Sequence, residues 1–193
     1  IIALAGIAFV MFLVLKKYTD QKVVISDIPV EPAVQVGVEE KQQAPVENKV
    51  VEKQPTVITE PNYSGLIRSA ANRMSQALID KDYNTFADYV YPKLVDVMGG
   101  KEIMIKTMVE SLPAGFSFSG IVVGTPSKIV RVGTQLQATV PDISTIQLDG
   151  GTVVAKSTLI ALSDDGGKTW SFLDTSNKSL EEIRKLFPEI STS

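Results

Sequence analysis

The spacing of apolar residues changes period once along this chain, near Phe116, and that change restricts the fold class more than any other feature of the sequence. Before it, Leu66, Ile67, Ala70, Ala71, Met74, Ala77 and Leu78 recur at three- and four-residue spacings, as on one face of a helix. After it, the period is two: Leu136, Ala138 and Val140 alternate with Gln135, Gln137 and Thr139. Helices followed by strands, without interleaving, imply an α+β domain with an antiparallel sheet.

The first helix is expected to run to about Ile79, with Asn62 or Ser64 as its cap. A second starts at Asp82 or Asn84 and places Phe86, Tyr89 and Val90 on one face until Pro92 interrupts it. Leu94, Val95, Val97 and Met98 then read as a short apolar turn closed by Gly99 and Gly100, and a third helix spans Lys101 to about Leu112. Four strands are expected next, the first within FSFSGIVVGTPSKIVRV, separated by turns at Gly133, Gly150 with Gly151, and Gly166 with Gly167. Val153 to Leu162 is apolar on both faces towards its end, which marks a central strand. Ser179 and Glu182 have the spacing of a capping box for a short last helix, with Leu180, Ile183 and Phe187 on one side and Pro188 as its stop. The expectation is three helices on a bent four-stranded antiparallel sheet, with a short carboxy-terminal helix.

Two segments precede this region. Residues 1–15, IIALAGIAFVMFLVL, are apolar throughout and end at Lys16, Lys17 and Tyr18. At about 1.5 Å per residue such a helix covers roughly 22 Å of a ~30 Å hydrocarbon layer, so residues 1–18 read as an amino-terminally incomplete transmembrane anchor in contact with the lipid bilayer. No small-residue cleavage site follows the run, which favours retention over a cleaved signal. Residues 19–62 are rich in Val, Glu, Gln, Lys and Pro and hold no Phe, Trp or Tyr, with prolines at 29, 32, 45, 55 and 61. A segment of this composition cannot assemble a core and reads as a disordered linker with a coil span of about 35 to 40 Å. The acidic linker and the lack of cysteine suit a single-pass protein whose domain, residues 63–193, lies outside the cytoplasm, in a periplasm or beyond.

Residues 63–193 carry 14 acidic and 13 basic side chains, a net charge of about −1, so no basic field exists for nucleic acid. The absence of His and Cys removes imidazole and thiol chemistry, Ser-His-Asp triads and His/Cys zinc sites. Neither metal nor cofactor is expected.

The order helix, helix, helix, antiparallel meander, together with Ala77, Leu78, Ile79, Lys81, Asp82 and Tyr83 followed by Phe86, Tyr89 and the Tyr91-Pro92 step, resembles the nuclear transport factor 2-like superfamily of cone-shaped α+β domains. The resemblance covers residues 63 to about 176. It departs where that superfamily places a short strand or strand pair between its second and third helices, here the compact KLVDVMGGKE. Enzymes of the superfamily often draw pocket residues from near there. Separately, Ser163, Asp165, Gly167, Thr169 and Trp170 match the S-x-D-x-G-x-T-W pattern of the Asp-box turn of sialidases and related propellers. One copy builds no propeller, so these residues read as a structural turn between two strands.

The superfamily resemblance implies a conical cavity between sheet and helices. Asp142 and Tyr89 are the candidates for a carboxylate base and a phenol donor, a pairing used by isomerases of the superfamily. The stronger reading from residue types is non-catalytic. An anchor, a spacer and one charge-balanced domain make a tethered interaction or scaffold module, with Gln135, Gln137, Thr139, Lys156 and Thr158 as a partner-facing sheet surface and a homodimer through the sheet. The alternatives are a domain that binds a small apolar ligand in the cone and, beyond that, a carboxylate- and Tyr-dependent isomerase or dehydratase.

Overall fold

A computed structural model of the chain describes residues 62–176 and 178–191. The expected anchor, and the linker apart from its last residue, Asn62, lie outside the described residues. Among those described, no helix is long and apolar enough to cross a membrane.

Among the described residues, four helices come before the first strand. Helix α1 (Tyr63–Ile79) is capped by Asn62, whose Oδ1 accepts from the Gly65 amide at 2.9 Å, and it buries Ile67, Ala71, Met74, Ser75 and Ala77. Helix α2 (Tyr83–Asp88) is capped by Asp82, which accepts from Thr85 N at 3.1 Å. The segment after Pro92 is helix α3 (Pro92–Val97), a correction to the expected apolar turn. Proline at the first helical position sacrifices no bond, because that amide has no intrahelical acceptor. Pro92 therefore begins a helix where interruption alone was expected, and four helices replace three. Helix α4 (Lys101–Ser111) follows Gly99 and Gly100, both at positive φ.

The sheet holds five strands, not four. The run expected as one strand divides into β1 (Ser117–Val123) and β2 (Val130–Val132), both antiparallel to β3 (Gln135–Leu148) and both along its same edge. Pro126 cannot donate to a ladder, and Gly124 approaches Pro141 so closely that an added Cβ would lie 2.8 Å from its Cγ. The intervening residues stay on β3 through Gly124 N to Pro141 O and Ser127 N to Thr139 O, each 2.8 Å. Strands β4 (Gly151–Ser163) and β5 (Ser171–Asp174) complete the order β1-β3-β4-β5, so β4 is central as its apolar pattern implies. The far side of β5 is covered: Phe172 N donates to Tyr89 O at 2.7 Å and Tyr91 N to Phe172 O at 2.9 Å, a parallel bridge centred on Val90.

Helices α1 to α4 lie on the inner face of the sheet, given by the even-numbered residues of β3 and the odd-numbered residues of β4. There Ile67, Ala71, Met74, Leu136, Ala138, Val140, Leu159, Ala161 and Phe172 form the main core. Helix α5 (Leu180–Leu186), with its Ser179–Glu182 capping box formed, lies on the outer face. Its Ile183, with Phe187 and Ile190, joins Tyr91, Ile160, Leu162 and Leu173 in a second core.

Candidate functional site

The inner face is apolar at one end and mixed at the other. Read along β3 at every second residue it runs Leu136, Ala138, Val140, Asp142, Ser144, Ile146, so a carboxylate and a hydroxyl interrupt an apolar stripe. The two-residue turn at Asp149-Gly150 pairs Leu148 with Gly151, and the same register sets Ser157 opposite Asp142 and Leu159 opposite Val140. In β5, Asp174 is paired with Leu159.

Over this mixed end the helices do not close on the sheet, and a cavity of about 290 Å³ remains. Its apolar wall includes Met74, Met98, Met104 and Met108, together with Phe86, Phe116, Phe118 and Phe172. Those methionines are all the methionines of residues 63–193, gathered from α1, α4 and the end of α3. Thioether side chains adapt to irregular surroundings, so their concentration suits a wall beside open space. The polar lining is small: Ser75, Thr107, Ser111, Asp142, Ser144, Ser157, Asp174 and Ser176.

Asp142 is 7% exposed. Its Oδ1 accepts a hydrogen bond from Ser157 Oγ and its Oδ2 a long one, 3.4 Å, from Ser144 Oγ. Burial pushes its carboxyl above the ordinary aspartate range; the Ser157 bond opposes this, and repulsion from Asp174 adds to the rise. Asp174 accepts from Ser176 N at 2.7 Å and Ser176 Oγ at 2.6 Å, and surrounding protein pushes its carboxyl up as well. Its surface is nonetheless exposed, and a carboxylate that touches water keeps much of its hydration, so the effect of burial is firmer at Asp142.

Tyr89 does not join Asp142. It is half-buried, packs against the inner core and is absent from the cavity lining, which contains no tyrosine. Tyr91 points to the opposite side of the sheet, where its hydroxyl donates to Glu189 Oε1 at 2.7 Å. The expected carboxylate–phenol pair is thus not assembled.

The five expected surface residues do share the outer face, but the structure divides them. Gln135 and Gln137 are buried, Gln137 completely. Helix α5 and the residues after it cover them: Gln137 Nε2 donates to Glu189 O at 2.9 Å and to Gln135 Oε1 at 2.6 Å, and its Oε1 accepts from Ser191 N at 2.8 Å. The Gln137 amide works as an internal clamp on the carboxy-terminal segment, Gln135 Nε2 donates to Asp164 Oδ1 at 2.9 Å, and neither amide is available to a partner. Thr139 and Thr158 are half-buried and Lys156 is exposed. Beside Lys156, the uncovered half of the face presents Val122, Ile143 and Val154, which are 66%, 39% and 47% exposed.

The turn from Ser163 to Trp170 is organised by Asp165. Its carboxylate accepts from Thr169 N at 3.0 Å, Thr169 Oγ1 at 2.7 Å, Ser163 Oγ at 2.8 Å and Lys168 N at 2.9 Å, and these bonds, the Thr169 backbone first, hold it far below the usual carboxylate range. Ser163 Oγ accepts from Gly167 N at 2.9 Å, and buried Trp170 donates from Nε1 to Gly167 O at 3.1 Å. Gly167 lies at φ +90° with Tyr63 against it, where a Cβ would come within 2.2 Å of the ring. The groups around Asp165 thus hold the turn's own geometry, while Asp164 accepts from Gln135 Nε2 at 2.9 Å.

Among the described residues no set of three or more acidic side chains is placed to share a metal ion. No family model, curated protein or solved structure matches the chain.

Proposed function

We propose that the folded region is a non-catalytic binding module that takes a small, largely apolar molecule into the cavity between helices and sheet. The observation that carries this reading is the meeting of all four methionines of the domain, with four phenylalanines, around one cavity whose polar lining is the smaller part. Specific small-molecule sites have that character: mostly apolar, with a few convergent polar groups. The volume is roughly twice the ~150 Å³ of an apolar cavity that admits one benzene ring, so a two-ring or medium-chain molecule suits it. Helices laid over the inner face of an antiparallel sheet with space between also support the nuclear transport factor 2-like reading. On that reading the anchor of residues 1–18 tethers the module to a bilayer, residues 19–62 set its reach, and it works outside the cytoplasm.

Naphthalene tests the cavity directly. It is expected to raise the melting temperature of the full chain, and Ala155→Phe, which fills the cavity from β4, is expected to abolish that rise. A wild-type melting temperature that naphthalene leaves unmoved counts against the reading.

A second role, contact with a protein partner or a second copy through the sheet, is favoured by the uncovered half of the outer face with exposed Val122, Ile143 and Val154. The natural chain has no cysteine, so Val122→Cys gives a clean crosslinking probe. A disulfide-linked dimer from Val122→Cys, and none from Lys106→Cys on α4, is the expected result; equal crosslinking at both positions would speak against a sheet-mediated dimer.

A further inference from the structure

We infer that the cavity selects a positively charged guest, an apolar molecule carrying a protonated amine, whose ammonium group is held at the Asp142–Ser157 end. This inference rests on the ligand-binding reading above and adds the charge of the ligand to it.

Both titratable side chains in the lining, Asp142 and Asp174, are acidic, and no Lys or Arg lines the cavity. A carboxylate has about four lone-pair positions for acceptance. Asp142 uses one for Ser157 and one for a 3.4 Å contact with Ser144, so acceptor capacity is left over beside the cavity. A buried carboxylate without a cationic partner is costly, and here no cation of the lining supplies one. An ammonium donor would meet both needs, completing the hydrogen bonds of Asp142 and balancing its charge at short range in a buried position. An anionic guest would instead meet two like charges. A neutral guest gains the apolar contacts and at most one hydrogen bond that leaves the carboxylate charge unbalanced, and aromatic rings in the wall add attraction for a cation alone. The hydrocarbon part of the amine would lie against the methionines and phenylalanines.

A matched set of two-ring probes separates these cases: 1-naphthylmethylamine, 1-naphthalenemethanol and 1-naphthoate. The full chain is labelled with methyl-13C methionine in a Met11→Leu background, so that every signal comes from Met74, Met98, Met104 or Met108. The amine is expected to shift these signals with at least tenfold higher affinity than the alcohol, and the naphthoate to bind more weakly than either. Asp142→Asn should reduce amine affinity at least tenfold and leave alcohol affinity within about twofold. Amine binding should strengthen as pH rises through the raised value of Asp142, where its carboxylate ionises. Equal affinity for amine and alcohol overturns the charge preference and leaves the ligand-binding reading intact. Failure of all three probes to move any methionine signal overturns both. The probe comparison uses the natural cavity, so it decides the matter even where Asp142→Asn does not fold.

Discussion

The two ends of the long strands β3 and β4 are built to different rules. At one end, from Gln135 to Val140 and Leu159 to Ser163, both faces are covered, by α1 inside and by α5 with its following residues outside. At the other, from Asp142 to Leu148 and Gly151 to Ser157, the inner face borders a cavity and much of the outer face is open. Polar groups differ accordingly. The closed end encloses neutral amides bonded to each other, to backbone and to Asp164; the other encloses a carboxylate with only hydroxyl partners. Packing is densest where the layers close, and open space is found where they do not.

The largest effect expected from this contrast is on core truncation. Ile160→Ala at the closed end, where Ile160 is 1% exposed, should cost about 3 to 4 kcal/mol in denaturant unfolding, because its site is packed on every side. Ile146→Ala beside the cavity should cost less, about 1 to 2 kcal/mol, since part of its surroundings is already empty space. Equal losses would remove the distinction between the ends.

Next in size is the clamp. Gln137→Ala leaves Glu189 O and Ser191 N without their buried partner and should cost about 2 kcal/mol, with faster hydrogen exchange in α5. Unchanged exchange there would mean that the apolar contacts of Ile183 and Phe187 alone hold the segment.

Acid should act on the two ends with opposite sign. Burial raises the carboxyl of Glu189, but hydrogen bonds from Lys93 and Tyr91 outweigh this and hold it down at about 2. Its ionised form favours the fold, so that contribution is complete above the ordinary glutamate value of about 4.3 and is lost as pH falls towards 2. Glu189→Gln should thus be less stable than wild type at pH 7, with the gap closing in acid. Asp142 is shifted upward, so its ionised form opposes folding at neutral pH and the burden lifts as pH falls through the raised value. Asp142→Asn should be the more stable protein at pH 7, with its advantage shrinking in acid. Parallel pH profiles for the two variants would contradict the assignment of opposite charge roles.

The smallest effect belongs to the open outer face. Val154→Thr should change monomer stability by less than about 0.5 kcal/mol while reducing any sheet-mediated self-association, measured by light scattering. A loss above 1 kcal/mol would show that this face is more enclosed than its exposure indicates.

Much of the fold was readable from local pattern. The period change near Phe116, the turn glycines and the Ser179–Glu182 box each depend on residues close in sequence, and each marks a real element. Pro92 misled because a proline that stops one helix is equally suited to start another, and only the extended Tyr91 between them distinguishes the cases. Gln135 and Gln137 misled for a different reason. Their alternation with Leu136 and Ala138 correctly assigns them to the opposite face, but whether that face is wet depends on a cover supplied by residues some fifty positions later. The cavity was expected only through the superfamily resemblance, since apolar residues that line a void and those that fill a core look alike in sequence. Part of its floor was within reach: once the Asp149-Gly150 turn is placed, counting outward sets Ser157 against Asp142.

The parallel bridge at Val90 has a consequence for behaviour in crowded surroundings. With Tyr89 and Tyr91 occupying the outer amide and carbonyl of Phe172, β5 offers little free backbone for another copy to add a strand. At the opposite border the strand is broken between β1 and β2, with Pro126 inside the break, so no long straight template exists there either. Copies held at high density would be steered away from runaway strand addition and fibre growth. Contact between them would be left to side chains, a form of association that ordinary surface evolution can tune or switch off.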